Sequence, residues 1–294
     1  MHIAVLGNEG SWYCAEIARA AKRRNISCTR IDFPRLTAAV GVASLPLLAG
    51  SEIDLTQVDA VIVRTMPPGS LEQVVFRMDA LAQLASQGVV VINSPLAIEC
   101  AVDKYRTIAT LHSANLPVPA TIACEDYESA MTAFEVLGGD VVIKPIFGAE
   151  GRGIVRVSDV DIAHRTFRTL SRLNAVIYLQ EFILHAGFDL RLLVLDGTIV
   201  GGMKRICEDD FRVNISRNGH AEIYTPTNAE CQLALQAAKK TDTCFAGVDL
   251  LYDDKKNCYV IEVNAVPGWR AFARVTGIDV ADKFVELIEQ KIKS

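Results

Sequence analysis

The stretch Phe245-Ala-Gly-Val-Asp249-Leu-Leu-Tyr252-Asp-Asp-Lys-Lys-Asn257-Cys-Tyr-Val-Ile261-Glu-Val-Asn264 decides how this chain is read. Two apolar runs, Phe245–Tyr252 and Cys258–Val263, flank a polar turn. That pattern predicts a β-hairpin. With a loop proper of Asp254–Asn257, Asp253 pairs with Cys258. Stepping back along both strands then places Asp249 opposite Glu262. Glu262 and Asn264 lie two apart and share one face of their strand. Three oxygen-bearing side chains therefore meet on one patch. Like charges facing each other on a sheet repel, and acids inside apolar strands need a partner. A hard divalent cation supplies one, because Mg²⁺ takes oxygen ligands and keeps water or substrate phosphates in its other positions. The pattern fits equally well with both acids facing solvent on a one-sided sheet.

Upstream, Lys144 closes the apolar run Asp140–Lys144. The glycine-rich loop Gly148-Ala-Glu-Gly151-Arg-Gly153 follows, with Ile154–Val157 as a returning strand. Loop glycines let N–H groups approach phosphate oxygens. No Gly-Lys-Ser/Thr ends the loop, so it is not a Walker A sequence, and a flexible hairpin turn accounts for the same glycines. With Lys104 and the acid pair, the chain carries phosphate donors and metal ligands on separate elements, as phosphoryl transfer requires. Gln180-Glu181-Phe182-Ile183 ends an apolar strand. A short linker there presents backbone groups to adenine, or else the strand ends in a solvated Glu. Asp189 and Arg191 flank Leu190 on one strand face, either as a plain ion pair or as contacts to ribose and phosphate. Arg205, Arg212 and Arg217 lie close together along residues 204–217. Guanidinium groups suit a carboxylate or a transferring phosphoryl group, while any one of them alone reads as a surface charge.

The first third has another character. Short apolar strands at Ile3–Leu6, Ser27–Asp32, Ala60–Val63 and Val89–Ile92 alternate with helical patterns, which predicts a parallel α/β unit over residues 1–96. Gly7-Asn-Glu-Gly10 follows the first strand but lacks the spacing of a dinucleotide fingerprint. Ser94-Pro95 opens a helix running through 96–113. Tyr127–Leu137, Ala229–Thr241 and the amphipathic Asp279–Lys291 read as further helices. Ile177–Phe182, Leu190–Leu195 and Thr198–Lys204 read as strands, with Asp196-Gly197 as a hairpin turn. Ala38–Gly50, interrupted by Pro46, reads as a loop or short packed segment.

The 294 residues suit two or three packed units. Half are hydrophobic and 22% are charged, which excludes a disordered chain. A net charge of −5 gives no basic footprint for DNA, and Lys22-Arg23-Arg24 reads as a solvated helix face. Eight scattered cysteines show no C-x-x-C spacing, so they are expected as reduced, partly buried thiols in a cytoplasmic protein. Neither a signal peptide nor a membrane span is expected.

Taken together, these motifs resemble the ATP-grasp superfamily and specifically the RimK-like ligases. The resemblance rests on Asp210-Phe-Arg-Val-Asn214, Ala246-Gly-Val-Asp-Leu250, Ile261-Glu-Val-Asn264, Pro267-Gly268 and Thr276-Gly-Ile-Asp-Val-Ala281. It implies an α/β fold, α+β in the ATP-grasp part. A parallel pre-ATP-grasp domain (1–96) would precede a central lobe with the glycine-rich loop (97–178) and a C-terminal lobe with the metal site (179–294). It implies that Lys104 and Lys144 bind phosphates beside the loop glycines Gly148, Gly151 and Gly153. Glu181 and Phe182 match the hinge that holds adenine, and Asp189 a nucleotide-contacting acid. Arg212 and Asn214 match the segment lining the nucleotide and phosphate site. Asp249, Glu262 and Asn264 match the magnesium ligands, with Mn²⁺ as an alternative ion.

The loop carries Glu150 and Arg152, where the ribosomal-protein-modifying members are less charged. The chain also reads Val266-Pro-Gly-Trp269-Arg270, where those members lack a Trp-Arg pair. Both differences border the expected acceptor side, and the Pro-Gly-Trp ending looks closer to the pterin-cofactor glutamate ligases. The implied activity is an ATP-dependent carboxylate–amine ligase. A substrate carboxylate attacks the γ-phosphate, and an amine, that of L-glutamate, displaces phosphate from the acylphosphate. Arg212 holds the transferred group, and Arg205 and Arg217 orient the acid substrates. The acceptor carboxylate sits on a pterin-type cofactor or a protein C-terminus, and a homo-oligomer is compatible with the pattern. Alternatives are a ligase for small amino acids or an amino-acid carrier protein, and a non-catalytic ATP-binding regulator.

Overall fold

The computed structural model describes residues 1–51, 53–148, 152–206 and 220–293. The chain begins β1 (His2–Leu6), α1 (Trp12–Arg23), β2 (Ser27–Ile31), β3 (Leu36–Ala38), β4 (Leu48–Gly50), β5 (Ile53–Asp54), β6 (Ala60–Val63), α2 (Leu71–Ser86) and β7 (Val90–Ile92). Strands β2-β1-β6-β7 form a parallel sheet in that order. Unbroken apolar runs such as Ala60–Val63, buried at every position, suit strands covered on both faces. All four expected strands are present. Part of Ala38–Gly50, expected as a loop or packed segment, is strand instead. Leu48–Gly50 pairs with Leu36–Ala38 and Ile53–Asp54 in a small antiparallel sheet, anchored by the buried Leu48.

Two helices, α3 (Pro95–Val102) and α4 (Lys104–Ser113), replace the single helix expected over 96–113. Asp103 separates them. Its backbone is extended (φ −91°, ψ 105°), and its carboxylate accepts from the Arg106 amide at 3.0 Å. An aspartate that caps a new helix ends the old one, and the break places Lys104 at the start of α4. The central sheet follows, from β8 (Thr121–Cys124), α5 (Tyr127–Val136), β9 (Val141–Lys144), β10 (Val155–Val157), α6 (Val160–Arg172) and β11 (Ile177–Glu181). Its order is β10-β9-β11-β8, and Phe134 and Phe167 pack with Ile143 and Leu179 in its core.

The last part runs β12 (Phe188–Leu195), β13 (Thr198–Ile206), β14 (His220–Tyr224), α7 (Asn228–Lys240), β15 (Phe245–Tyr252), β16 (Cys258–Asn264), α8 (Arg270–Thr276) and α9 (Val280–Lys293). Its antiparallel sheet is ordered β14-β13-β12-β15-β16. Asp196 and Gly197 join β12 to β13 with positive φ at both (46° and 71°) and Leu195 paired to Thr198. This is the two-residue turn the Asp-Gly pair predicts.

Three packing relations differ from the expected division. Leu111 and Leu116 share a core with Leu190, Ala234, Val248 and Val260, so α4 and the residues after it pack on the last sheet rather than in the central lobe. β11 crosses residue 178 while pairing inside the central sheet. The closing helix α9 turns back to the beginning of the chain: Val280, Phe284, Val285 and Ile288 share a core with Ile3, Val5 and Ile17. Arg24 reaches Asp282 (3.0 Å) and Glu289 (2.9 Å), while Arg19 and Arg23 reach Asp279. The basic cluster expected as a solvated face is thus an ion-paired seam for Arg23 and Arg24. The buried Asn93 ties the first sheet to the hairpin, donating to the Phe245 and Ala265 carbonyls and accepting from the Phe245 amide at 2.8 Å.

Candidate functional site

A cleft of about 810 Å³ lies between the first parallel sheet, the central sheet and the last sheet. Lys104, Lys144, Gly148, Glu181, Phe182, Asp189, Arg205, Asp249, Glu262 and Asn264 all line it. Gly153 is described and has φ +73°. Gly151, Arg212, Asn214 and Arg217 lie outside the described residues.

The hairpin brings the three oxygen-bearing side chains together by two deviations that cancel. Asp249 faces Glu262, and Gly247 faces Asn264, as expected. The turn is displaced by one residue, since Tyr252 pairs with Cys258 and the loop is Asp253–Asn257. A β-bulge between Asp249 and Leu250, with Ile261 as the extra residue of β16, restores the register. Bulges of this kind re-aim side chains beside sites.

Asp249 is buried, and its carboxylate accepts three N–H bonds. Oδ1 accepts from Arg191 Nε, and Oδ2 from Arg191 Nη2 and Arg205 Nη2, each at 2.7 Å. Arg205 is also bidentate to Asp189, at 2.6 and 2.5 Å. Asp189 and Arg191 therefore do not pair with each other; each pairs across to the neighbouring strand, where the register places Arg205 and Asp249. Burial alone would push the Asp249 carboxyl up, but the guanidinium groups of Arg191 and Arg205 outweigh it and hold it below the ordinary range. Among the described residues Asp189 has one guanidinium bonded to it, that of Arg205, and burial carries its carboxyl up to about 6.

A metal ion fits this donor set in kind. An ionised carboxylate offers about four lone-pair sites, so Asp249 keeps one. Among the described residues Asn264 Oδ1 accepts only from Val266 N, at 2.9 Å, which leaves its other lone pair. Glu262 makes no hydrogen bond or ion pair among the described residues. No cluster of three or more His, Cys, Asp or Glu occurs among them, so an ion here would complete its shell with water and phosphate oxygens.

Both lysines are cations without a carboxylate within ion-pair distance among the described residues. Lys144 Nζ donates to Gln180 Oε1 at 2.6 Å, and Lys104 Nζ to the Gly148 carbonyl at 2.8 Å. Burial lowers both, Lys144 to about 8, against the opposing pull of Glu262. An ammonium that burial disfavours and no acid neutralises is ready for an anionic ligand. The break at Asp103 and the end of β9 deliver these cations from separate elements.

The Glu181 and Phe182 amides donate to the Ala120 and Asp140 carbonyls, and Glu181 Oε1 accepts from the Ala120 amide at 2.8 Å. Arg156 covers the Phe182 ring at 3.5 Å. Val142, Ile183, Met203, Leu251 and Ile261 supply apolar cleft wall, which suits a flat base.

Several lining residues carry no motif. Gln180, which holds Lys144 in place, and Arg191, which holds Asp249, are legible only once strand partners are known. Asn8–Tyr13 and Arg64 come from the first sheet, whose Gly7–Gly10 loop is no dinucleotide fingerprint and yet lines the cleft. The signal available for them is position, since β1 and β6 end there and open α/β sheets bind ligands at their strands' carboxyl ends. Trp269 is buried, whereas Arg270 lines the cleft.

Comparison with known proteins gives consistent matches along the whole chain. The RimK PreATP-grasp domain matches residues 1–98 and the RimK-like ATP-grasp domain residues 101–288. The chain is 32% identical to a tetrahydromethanopterin:alpha-L-glutamate ligase of Methanosarcina acetivorans, over 95% of each protein. It is 30% identical to a ribosomal protein bS6–L-glutamate ligase of Escherichia coli, covering 99% of this chain and 96% of that one. The ATP-grasp ligase PsnB, solved with a minimal precursor, shares the fold with a TM-score of 0.78 at 20% identity, over 98% of both chains.

Proposed function

The chain belongs to the RimK-like ATP-grasp family of ATP-dependent carboxylate–amine ligases, and on that premise we propose that it adds L-glutamate to an acceptor carboxylate on a pterin-type cofactor or a protein C-terminus. The observation that carries this reading is the convergence in one cleft of Lys104, Lys144 and the Asp249–Glu262–Asn264 patch. Of the relatives named above, one joins glutamate to tetrahydromethanopterin and the other to the ribosomal protein bS6, which supports an acceptor of either kind.

A substrate carboxylate attacks the γ-phosphorus, making a C–O–P link and releasing ADP. The glutamate amine then attacks the acyl carbon and expels phosphate. In our reading Lys104 and Lys144 hold phosphate oxygens and offset charge as it moves toward the leaving group. Lys104, through its bond to the Gly148 carbonyl, also couples α4 to the start of the glycine loop, whose closure excludes water from the acylphosphate. Arg205 positions Asp189 and Asp249, and Arg212, Arg217 and Asn214 keep the nucleotide and substrate roles the resemblance implies. Mg²⁺, or Mn²⁺ in its place, held by Asp249, Glu262 and Asn264 supplies positive charge on the phosphates when bound. Glu181 and Phe182 mark the adenine end, with Gly148, Gly151 and Gly153 over the phosphates.

We divide the chain into a pre-ATP-grasp unit to residue 96 and two lobes, the boundary between lobes following Glu181. We further propose a cytoplasmic location and a surface compatible with homo-oligomers. Among the described residues no helix is long and apolar enough to cross a membrane.

The test is mass spectrometry of cell extracts given the protein, ATP, Mg²⁺ and labelled glutamate. One small molecule or protein is expected to gain glutamyl mass, with ADP formed only when acid and amine are both present. Label entering only from small amino acids, or nucleotide binding without turnover, overturns the reading. Lys144→Met is expected to raise KM for ATP about 10–100-fold, the worth of a lost charge-assisted bond. Steady-state kinetics check this, and the melting temperature should stay within a few degrees, because Lys144 holds no carboxylate.

A further inference from the structure

The cleft ends, on the side of the first sheet, at a buried cation for which the described residues supply no counter-charge. Arg64 immediately follows β6 and is 6% exposed. Its Nη2 donates to the Pro267 carbonyl at 2.8 Å. Its Nε has no partner among the described residues, and none of their carboxylates forms an ion pair with it. Trp269 and Tyr13 face the guanidinium at 4.3 and 5.0 Å from their ring centres. Aromatic faces offset only part of the cost of burying a charge. Burial pushes the guanidinium pKa down to about 10, which agrees with a cation lacking its anion.

The surroundings are built rather than incidental. Gly268 lies so close to Tyr13 that a Cβ there would stand 2.8 Å from the phenolic oxygen. Pro267, Gly268 and Trp269 follow the Asn264 strand end after Ala265 and Val266. Arg270 lines the same end and lies over Trp12 at 5.6 Å. The capped N-terminus of the 12-residue α1, with Ser11 bonded to the Cys14 amide, faces the same end. Glu9 also lines the cleft and makes no ion pair with Arg64 among the described residues.

We propose that Arg64, walled by Tyr13 and Trp269, binds a substrate carboxylate that takes no part in bond making. This rests on the ligase reading above. The carboxylate belongs either to the incoming glutamate, whose reacting group is its amine, or to a second acid group on the acceptor. Bound there, it would fix its substrate at the end of the cleft formed by the first sheet while the reacting groups meet over the Asn264 strand end.

The chain has two tryptophans, Trp12 and Trp269, and both belong to this cluster, so intrinsic fluorescence reads the subsite directly. The full-length protein with Mg²⁺ and ADP is titrated with L-glutamate in one arm. A peptide ending in glutamate, as acceptor probe, is used in the other. A saturable change is expected in one arm, and that arm names the source of the carboxylate. Arg64→Met should raise its half-saturation, and the KM of that substrate, about 10–100-fold, the range for a charged hydrogen bond, while KM for ATP moves less than about threefold. Replacing the probe's carboxylate by its amide should make wild type and variant equal.

Equal half-saturation of wild type and Arg64→Met in both arms overturns the proposal. If Arg64→Met folds poorly, Arg64→Lys decides. A several-fold loss for the acid probe but not its amide supports the subsite, and no difference overturns it. Absence of ATP turnover in the wild type counts against the ligase reading alone, because the fluorescence titration needs no turnover.

Discussion

Glu262→Gln is expected to cut turnover by about 10³-fold, on the scale of removing one preorganised electrostatic contact to a reacting phosphate, and to leave the fold as stable as before. Glu262 makes no hydrogen bond or ion pair among the described residues, and it faces Asp249 across the hairpin. Its charge draws the two half-buried lysines toward their protonated forms, but among the described residues it holds no group in place. Removing that charge relieves a repulsion in the free protein and withdraws the proposed metal ligand from the nucleotide-bound one. The check is paired: initial rates across a Mg²⁺ titration, and urea denaturation without nucleotide. Retained turnover with a clear loss of stability would show that Glu262 serves the fold and not the reaction.

Arg205→Met is expected to do the opposite first. Its guanidinium is 5% exposed as a residue and bonds both Asp189 and Asp249. Without it, two buried carboxylates face one remaining cation among the described residues, Arg191. Breaking a buried ion pair from one side costs about 3–5 kcal/mol, a large share of a typical stability of about 5–15 kcal/mol. Urea denaturation should show the loss directly. Adding Asp189→Asn should return part of it, since one abandoned charge is then gone, and the two effects should be non-additive because the residues touch. Additive losses would mean that the three side chains do not act as one unit. The sequence pattern presents Arg205 as a group that orients acid substrates, whereas its engagement with two aspartates makes it a residue that positions the ligand-bearing strands.

The parts of this architecture legible in the sequence are those set by local chemistry. Buried parallel strands appear as apolar runs, the Asp196-Gly197 turn follows from its tolerance of positive φ, and the Asp249–Glu262 pairing follows from side-chain alternation. That last reading reaches the correct pair although its assumed turn is one residue off, because the bulge at Ile261 compensates. Periodicity shows that a helix has an apolar face but not which sheet the face meets. So the packing of Leu111 and Leu116 on the last sheet, and of α9 on the first, is not legible. The same limit hides the site partners. Alternation groups Asp189 with Arg191 on one face, but only strand order sends one to Arg205 and the other to Asp249. Asp103 is a capping residue inside a helical pattern, and the pattern alone favours continuity.

The return of α9 to the first sheet has a consequence for how the protein is made. The residues of β1 and α1 leave the ribosome long before Val280, Phe284 and Ile288, which cover them. At roughly 10 residues per second, Ile3, Val5 and Ile17 wait on the order of 30 s for that cover. The nascent amino-terminal unit is thus an open half-sandwich and a natural client for a chaperone. Release of α9 completes that core, so a chain that stops before α9 should yield aggregates rather than a shorter enzyme.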